Sequence, residues 1–110
     1  QTFGRPSNQR RALLRSLARS LVIHERISTT EAKAKALRPF IERLVTYAKK
    51  NTLASRRLTQ TRLGDKAAVK KLFDSIGPRY TGRAGGYTRI IKRAKRGLND
   101  ARKLAYIAFV

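Results

Sequence analysis

Residues 87–110, with the sequence YTRIIKRAKRGLNDARKLAYIAFV, hold two segments rich in Ile, Tyr, Phe and Val on either side of a polar stretch. Because β-branched and aromatic runs of this length are typical of strands, we predict strands over 87–94 and 104–110. The basic segment between them, 95–103, then connects an antiparallel hairpin. A third short strand is predicted over 24–29, around Ile27. The three strands predict a small sheet packed on helices, which is an α+β fold.

About four helices are expected before the hairpin. Leucines four residues apart, at 13, 17 and 21, predict a helix over 9–23. A second helix should run to Lys50, with Ser28 and Glu31 fitting a capping box and with Thr29 and Thr30 as competing caps. Pro39 lies inside it and predicts a kink or a break.

Two shorter helices follow in the pattern. The first covers about 53–62, with Arg56 and Arg57 exposed and Leu58 turned inward. Gly64 should end it, and Asp65 should cap the next helix, which carries an apolar face. The pair Gly77-Pro78 is typical of a helix end, with the glycine just past the last turn.

The first eight residues lack any apolar period, and Gly4 and Pro6 interrupt them. We therefore expect an extended N-terminal arm over 1–8, with Ser7 or Asn8 as the cap of the first helix. The rest of the chain, 9–110, is short enough to form one domain. No internal repeat or low-complexity run divides it.

The charge balance indicates the kind of partner. The chain has 27 Lys and Arg against 6 Asp and Glu, a formal net charge of +21, yet 41% of its residues are hydrophobic. A folded domain with this excess repels itself, so a polyanion is the expected partner. The lack of cysteine excludes disulfides and thiol chemistry, and one histidine leaves no cluster for a metal. No apolar run is long enough for a membrane helix.

Catalysis is not expected, because the carboxylates are isolated along the chain and most fall at caps, strand ends or loops. Glu42 is expected to support Arg38 or Lys49. No nucleophile pairing is visible, and the glycines at 82–86 lack the Gly-Lys-Ser/Thr ending of a nucleotide-binding loop. We therefore predict no cofactor, no metal and no small-molecule substrate.

Two clusters predict phosphate contact. Arg11, Arg15 and Arg19 lie four residues apart with no acidic residue nearby, and they form a ridge of uniformly positive charge on the first helix. This ridge either faces solvent or contacts phosphates. Around the glycines at 82–86, arginines could clamp phosphates and Tyr80 and Tyr87 could stack on unpaired bases. The alternative for the second cluster is a tight turn with core tyrosines.

Basic residues on nearly every element indicate a surface surrounded by RNA rather than one docked face. A nucleoid-type DNA-binding protein is the alternative, although no exposed apolar seam for a dimer is evident and we expect no homo-oligomer. The predicted RNA-contacting residues are Arg5, Asn8, Arg10, Arg11, Arg15, Arg19, Lys33, Lys35, Arg38, Arg56, Arg57, Arg79, Tyr80, Arg83, Gly85, Gly86, Tyr87, Arg89, Lys92, Arg93, Lys95 and Arg96.

Four stretches, in order, resemble the bacterial-type large-subunit ribosomal protein 17 family. They are GRPSNQRRALLRSLA at 4–18, ISTTEAKAKALRPF at 27–40, GRAGGYTRIIK at 82–92 and LAYIAFV at 104–110. The loop segment 96–100, RGLND, departs from the family's Arg-Gly-Asp-Asn run. The family usually carries a more basic extension before Gly4, so the arm is expected to be short or processed.

The resemblance implies a structural, non-catalytic protein of the large ribosomal subunit. It implies binding to 23S-type rRNA near the peptide exit tunnel region, with large-subunit proteins 22 and 32 as neighbours. The implied location is the cytoplasm, on a bacterial ribosome, with an organellar ribosome left open. A membrane is not expected among the partners of this protein.

Overall fold

The computed structural model describes residues 7–93 and 103–110, in which five helical segments and three strands surround a single core. The helices are α1 (Ser7–His24), α2 (Glu31–Lys50), α3 (Leu53–Leu63), α4 (Lys66–Lys71) and α5 (Gly77–Arg79), with a π-helical turn over Leu72–Ile76 that joins α4 to α5. The strands are β1 (Arg26–Thr30), β2 (Thr88–Lys92) and β3 (Leu104–Phe109). The predicted α+β class is confirmed.

β3 lies between the other two strands, in the order β1-β3-β2, and both pairings are antiparallel. Ile107 is opposite Ile27 on one side and Ile90 on the other, and it is fully buried. Helix α2 packs across this inner face of the sheet. The predicted hairpin and its third strand are therefore confirmed, and their isoleucines Ile27, Ile90 and Ile107 pack on the core from one face.

The core joins the sheet to the apolar sides of α1, α2, α3 and the α4–α5 segment. Its largest fully buried side chains are Leu21, Leu37, Ile41, Leu44, Leu63, Leu72, Ile76 and Ile107. All eight are leucines or isoleucines, and six of them, in α1, α2 and the α4–α5 segment, recur at helical spacing in the sequence. Periodicity thus identified the inner faces of α1, α2 and α4 correctly.

The chain reverses sharply between α1 and β1. Glu25 adopts a left-handed backbone with φ of 66°, so β1 starts at Arg26 rather than at the predicted His24. α1 itself starts at Ser7, before the predicted Gln9, because nothing after Pro6 breaks a helix. Ser7 and Asn8 therefore lie inside α1, and residues 1–6 of the predicted arm lie outside the described residues.

Thr30, not Ser28, caps α2. The Thr30 side chain accepts a hydrogen bond from the Lys33 N–H at 3.2 Å. Ser28 pairs with Tyr106 in the sheet, so its backbone belongs to β1. α2 continues through Pro39 without a break.

The segment around Gly77 differs most from expectation. Gly77 is right-handed helical, with φ of −54° and ψ of −47°, and its N–H donates to the Leu72 carbonyl. The helix therefore continues to Arg79 instead of ending at the Gly-Pro pair. A Cβ at Gly77 would lie 3.0 Å from the Cβ of Ala48. Glycine is needed here for the close approach of α5 to α2, not for a left-handed cap.

α3 also presents a different face from the one predicted. Leu58 is 37% exposed, whereas Ser55, Thr59 and Leu63, spaced four apart, point into the core. Burial of Thr59 is tolerated because its hydroxyl donates to the Ser55 carbonyl at 2.9 Å. As predicted, Gly64 ends α3 in a left-handed conformation, and the Asp65 carboxylate caps α4.

Candidate nucleic-acid interface

The five carboxylates in the described residues are all bound within the protein. Glu25 pairs with Lys71 and Arg79, Glu31 with Lys35 and Lys92, and Asp74 with Lys70 and Arg56, while Asp65 caps α4 and Glu42 binds backbone N–H groups. Within the described ranges, the other lysines and arginines lie more than 4 Å from any carboxylate. The positive surface is therefore left for an external anion to neutralise.

Two arginines of the α1 ridge have an intramolecular role that the sequence did not reveal. Arg19 Nε donates to the Leu63 carbonyl at 2.7 Å, and Arg15 Nε donates to the Arg62 carbonyl at 3.1 Å. These are carbonyls at the end of α3, which lack helical partners and carry the negative end of its dipole. Arg11 is exposed and makes no such bond within the described residues. The ridge is thus part helix cap and part open surface.

Helices α1, α2 and α3 enclose a surface cleft beside the ridge. Its lining residues are Arg11, Leu14, Arg15, Phe40, Thr61 and Arg62. The cleft brings two predicted ridge arginines together with Arg62, which the sequence analysis did not select. Its lining combines two apolar side chains, Leu14 and Phe40, with three arginines.

Lys49 on α2 holds the glycine-rich turn between α5 and β2, which contains the glycines at 82–86. The Lys49 ammonium donates to the Arg83 carbonyl and, at 2.9 Å, to the Tyr87 hydroxyl. Gly86 has a φ of 67°, which favours glycine, and Arg83 Nε donates to the Gly85 carbonyl at 3.2 Å. The turn therefore holds a defined shape with the end of the Arg83 guanidinium at its surface.

Tyr80 and Tyr87, predicted to stack on unpaired bases, are packed in the core. They are 4% and 3% exposed, and their ring centroids lie 5.2 Å apart. The Tyr80 hydroxyl donates to the Val110 carbonyl at 2.7 Å. Burial raises the pKa of Tyr80, whereas the hydrogen bond from Lys49 lowers the pKa of Tyr87. This packing matches the alternative predicted from the sequence, a tight turn with core tyrosines.

Glu42 supports the hairpin rather than Arg38 or Lys49. Its carboxylate accepts hydrogen bonds from the N–H groups of Tyr87 and Thr88, at 3.3 and 2.9 Å, and from the Thr88 hydroxyl at 2.8 Å. This anion on α2 thereby holds the start of β2 against α2.

Arg79 forms a two-pronged ion pair with Glu25, with N–O distances of 2.6 and 2.9 Å. This hydrogen bonding lowers the pKa of Glu25 from 4.5 to about 2. The pair joins α5 to the reversal between α1 and β1, with Lys71 as a second cation at 3.1 Å. Arg79, predicted to contact RNA, thus has an intramolecular partner in the structure.

The outer face of the sheet, opposite α2, gathers cations around one aromatic ring. The Arg26 guanidinium carbon lies 3.9 Å from the Tyr106 ring centroid, and that of Arg93 lies 5.4 Å from it. Arg26 and Tyr106 were not among the predicted residues. The period-2 pattern of β3 was the available signal, since Tyr106 falls between the inward-facing Ala105 and Ile107.

The remaining predicted residues are distributed over the surface. Asn8, Arg10, Lys33, Lys35, Arg38, Arg57, Arg89 and Lys92 are exposed, and Arg56 is half-buried with its guanidinium 5.1 Å from the Phe73 ring centroid. Arg5, Lys95 and Arg96 lie outside the described residues. In the part of the chain that the structure describes, no three His, Asp or Glu side chains come together to hold a metal, and no helix is apolar and long enough to cross a membrane.

Known proteins resemble this chain over almost its whole length. It is 56% identical to the large ribosomal subunit protein bL17 of Hydrogenobaculum sp. (strain Y04AAS1), over 98% of this chain and 92% of that protein. It is 53% identical to the protein of the same name from Thermomicrobium roseum, over 98% and 92%, and 53% identical to that from Sphingopyxis alaskensis, over 96% and 76%.

A family comparison gives the same result independently of any single relative. The family described as ribosomal protein L17 matches residues 13–110, which include most of α1, all of the later helices and the whole sheet. The expected family resemblance is thereby confirmed, and this chain belongs to the ribosomal protein L17 family.

Proposed function

We propose that this protein is a structural constituent of the large ribosomal subunit and that it binds rRNA through phosphate-neutralising basic surfaces. The observation that carries the proposal is the charge arrangement: every described carboxylate is bound internally, while exposed cations project from α1, α2, α3, the glycine turn and the sheet. Its relatives are named large ribosomal subunit proteins, which supports a ribosomal role.

The mechanism follows from what each exposed cation can do. Arg11, Arg38 and Arg57 stand on three different helices of one rigid core. When such side chains meet phosphates, condensed counterions are released, and RNA helices on different sides of the protein can approach one another. The protein in this proposal acts as a folded counterion with fixed geometry.

The glycine turn supports a close backbone contact within this function. A Cβ at Gly82 would meet nothing within 4 Å in the described protein, and its φ is not in the left-handed region. The fold itself therefore places no demand for glycine at this position. An external chain that packs directly on the backbone would require glycine there, because a side chain would block its approach.

The finer location rests on the family resemblance. We propose a site near the peptide exit tunnel region, on 23S-type rRNA, with large-subunit proteins 22 and 32 as neighbours. The compartment would be the cytoplasm of a bacterium or the interior of an organelle. Cross-linking in intact ribosomes tests this placement, since cross-links from exposed lysines such as Lys33 and Lys66 should reach large-subunit components only.

Sedimentation separates this function from DNA compaction. A tagged chain is expressed in bacterial cells, and the lysate is fractionated on a sucrose gradient after treatment with RNase, with DNase or with neither. We expect the chain in the large-subunit fractions, insensitive to DNase and displaced by RNase. Displacement by DNase alone, or a position at the top of the gradient in every sample, contradicts the proposal.

A further inference from the structure

We propose that the outer face of the sheet is a separate RNA backbone-binding surface, in which the Tyr106 ring positions Arg26 and Arg93 for phosphate. This inference rests on the proposed function, because it takes rRNA as the partner. It assigns binding roles to two residues, Arg26 and Tyr106, and it gives Arg93 a defined place in a three-residue arrangement.

The register places these residues on one face. Tyr106 is opposite Ser28 on β1 and Ile91 on β2. Arg26, opposite Ala108, is the diagonal neighbour of Tyr106 on one side, and Arg93 follows β2 at the opposite diagonal, where its N–H donates to the Leu104 carbonyl. Since alternate residues of a strand share a face, all of these side chains lie on the side away from α2.

Contacts within the face hold both guanidinium groups over β3. Arg26 lies 3.9 Å from the ring centroid of Tyr106, at cation–π distance. Arg93 extends across the same strand, lies 5.4 Å from that centroid and donates to the Ser28 hydroxyl at 3.2 Å. The ring therefore restricts two long side chains that would otherwise sample many rotamers.

The two cations are held near one ring although like charges repel. In the described residues, no carboxylate lies within 4 Å of Arg26, Arg89 or Arg93, and none stands on the outer face of the sheet. A planar guanidinium fixed by an aromatic face still presents its N–H edge, which can bind two phosphate oxygens. A phosphate between the cations would remove their repulsion and use their fixed positions.

An RNA backbone fits this face better than a protein surface does. The third arginine, Arg89, lies on the same face of β2, which gives a row of charges across the sheet. Between Arg89 and Arg93, the Ile91 side chain is 41% exposed and offers an apolar contact that a ribose could cover. A protein partner would need a matching acidic patch. RNA carries a phosphate on every nucleotide, so the excess of cations over the whole chain favours RNA as the partner.

Tyr106→Leu and Tyr106→Phe test the role of the ring without changing charge. The full-length chain is titrated with deproteinised bacterial large-subunit rRNA in filter-binding assays over a range of salt concentrations. We expect Tyr106→Leu to weaken binding about fivefold with an unchanged salt slope, because the cation–π contacts that position the arginines are lost. Tyr106→Phe keeps the ring and should stay within about twofold of the wild type. Circular dichroism shows whether both variants remain folded.

A second pair of variants tests the cations. Arg26→Gln should lower the slope of log affinity against log salt by about 1 unit, and its effect should shrink in the Tyr106→Leu background. Arg43→Gln is the matched control, with the same change in charge at an exposed site on α2. Its effect should be the same with and without the Tyr106 ring.

The outcomes separate this inference from the proposed function. Equal affinities for Tyr106→Leu and Tyr106→Phe, both folded, would overturn the sheet surface while rRNA binding stands. Normal rRNA affinity with loss of Tyr106→Leu from assembled subunits would also overturn it, since the face would then bind a protein. Absence of salt-dependent rRNA binding by the wild type refutes the proposed function itself.

Discussion

Arg19→Gln tests whether the α1 ridge stabilises the fold or only attracts an anion. In the structure, Arg19 Nε donates to the Leu63 carbonyl at 2.7 Å, and its terminal nitrogen lies 3.4 Å from the Gly64 carbonyl. Leu63 is fully buried, so this carbonyl ends a helix that is packed into the core. Glutamine is too short to reproduce the guanidinium geometry.

These contacts determine how much Arg19 contributes to the free energy of unfolding. A hydrogen bond from a charged group contributes about 1.5–3 kcal/mol, and a cation at a helix C-terminus adds about 0.3–1 kcal/mol. The second contact of Arg19 is long and exposed, so we count only the first. Removal of Arg19 should therefore lower the free energy of unfolding by about 2 kcal/mol.

The assay is urea unfolding followed by circular dichroism, with Arg11→Gln as the control. Both variants lose one positive charge from the same helix, so the relief of self-repulsion is similar. Measurement at about 0.15 M salt, where the Debye length is about 8 Å, reduces that contribution further. Arg11 is exposed and makes no hydrogen bond within the described residues, so its variant should stay within about 0.5 kcal/mol of the wild type. Equal stabilities for the two variants would refute the capping role of Arg19.

Two further predictions concern α5. Gly77→Ala should destabilise the protein by about 1–3 kcal/mol, because the new methyl group would lie 3.0 Å from the Ala48 Cβ and 3.2 Å from the Leu72 carbonyl oxygen; thermal unfolding measures the loss, and an unchanged midpoint would show that α2 and α5 can separate freely. The Glu25 carboxyl has a folded pKa of about 2 against an ordinary value of 4.5, so its contribution to stability is complete above pH 4.5 and is lost as pH falls toward 2. The stability advantage of the wild type over Glu25→Gln should therefore disappear over that interval in unfolding curves, and a constant difference would contradict the Arg79 pairing.

Much of the fold could be predicted from local pattern. The apolar period placed α1, α2 and α4, and the β-branched runs placed the hairpin, because burial of one face leaves a repeating trace in a single element. One error arose where a distant segment decided the outcome, and another where a polar side chain was satisfied within its own helix. Gly77 has the sequence pattern of a helix end, but it is glycine because Ala48 packs directly against it. Leu58 has the pattern of a core residue, but Thr59 is buried instead because its hydroxyl hydrogen-bonds within its own helix.

The candidate site was harder to predict than the fold. The sequence shows that positive charge must be abundant, but it does not show which cations remain for a partner. Arg19 and Arg79 have the same composition signal as Arg11, yet their partners lie 44 and 54 residues away. Tyr80, Tyr87 and Tyr106 are likewise similar in pattern, although two are core residues and one lies on the open face of the sheet.

The sequence alone determined the excess of 21 positive charges, the α+β element types and the family to which the chain belongs. These properties are local or additive, so no contact between distant segments is needed to establish them. Only the tertiary structure decided how the charges are divided between internal partners and open surface. That division depends on which helix end or carboxylate packs beside each arginine, and packing is a property of the assembled core.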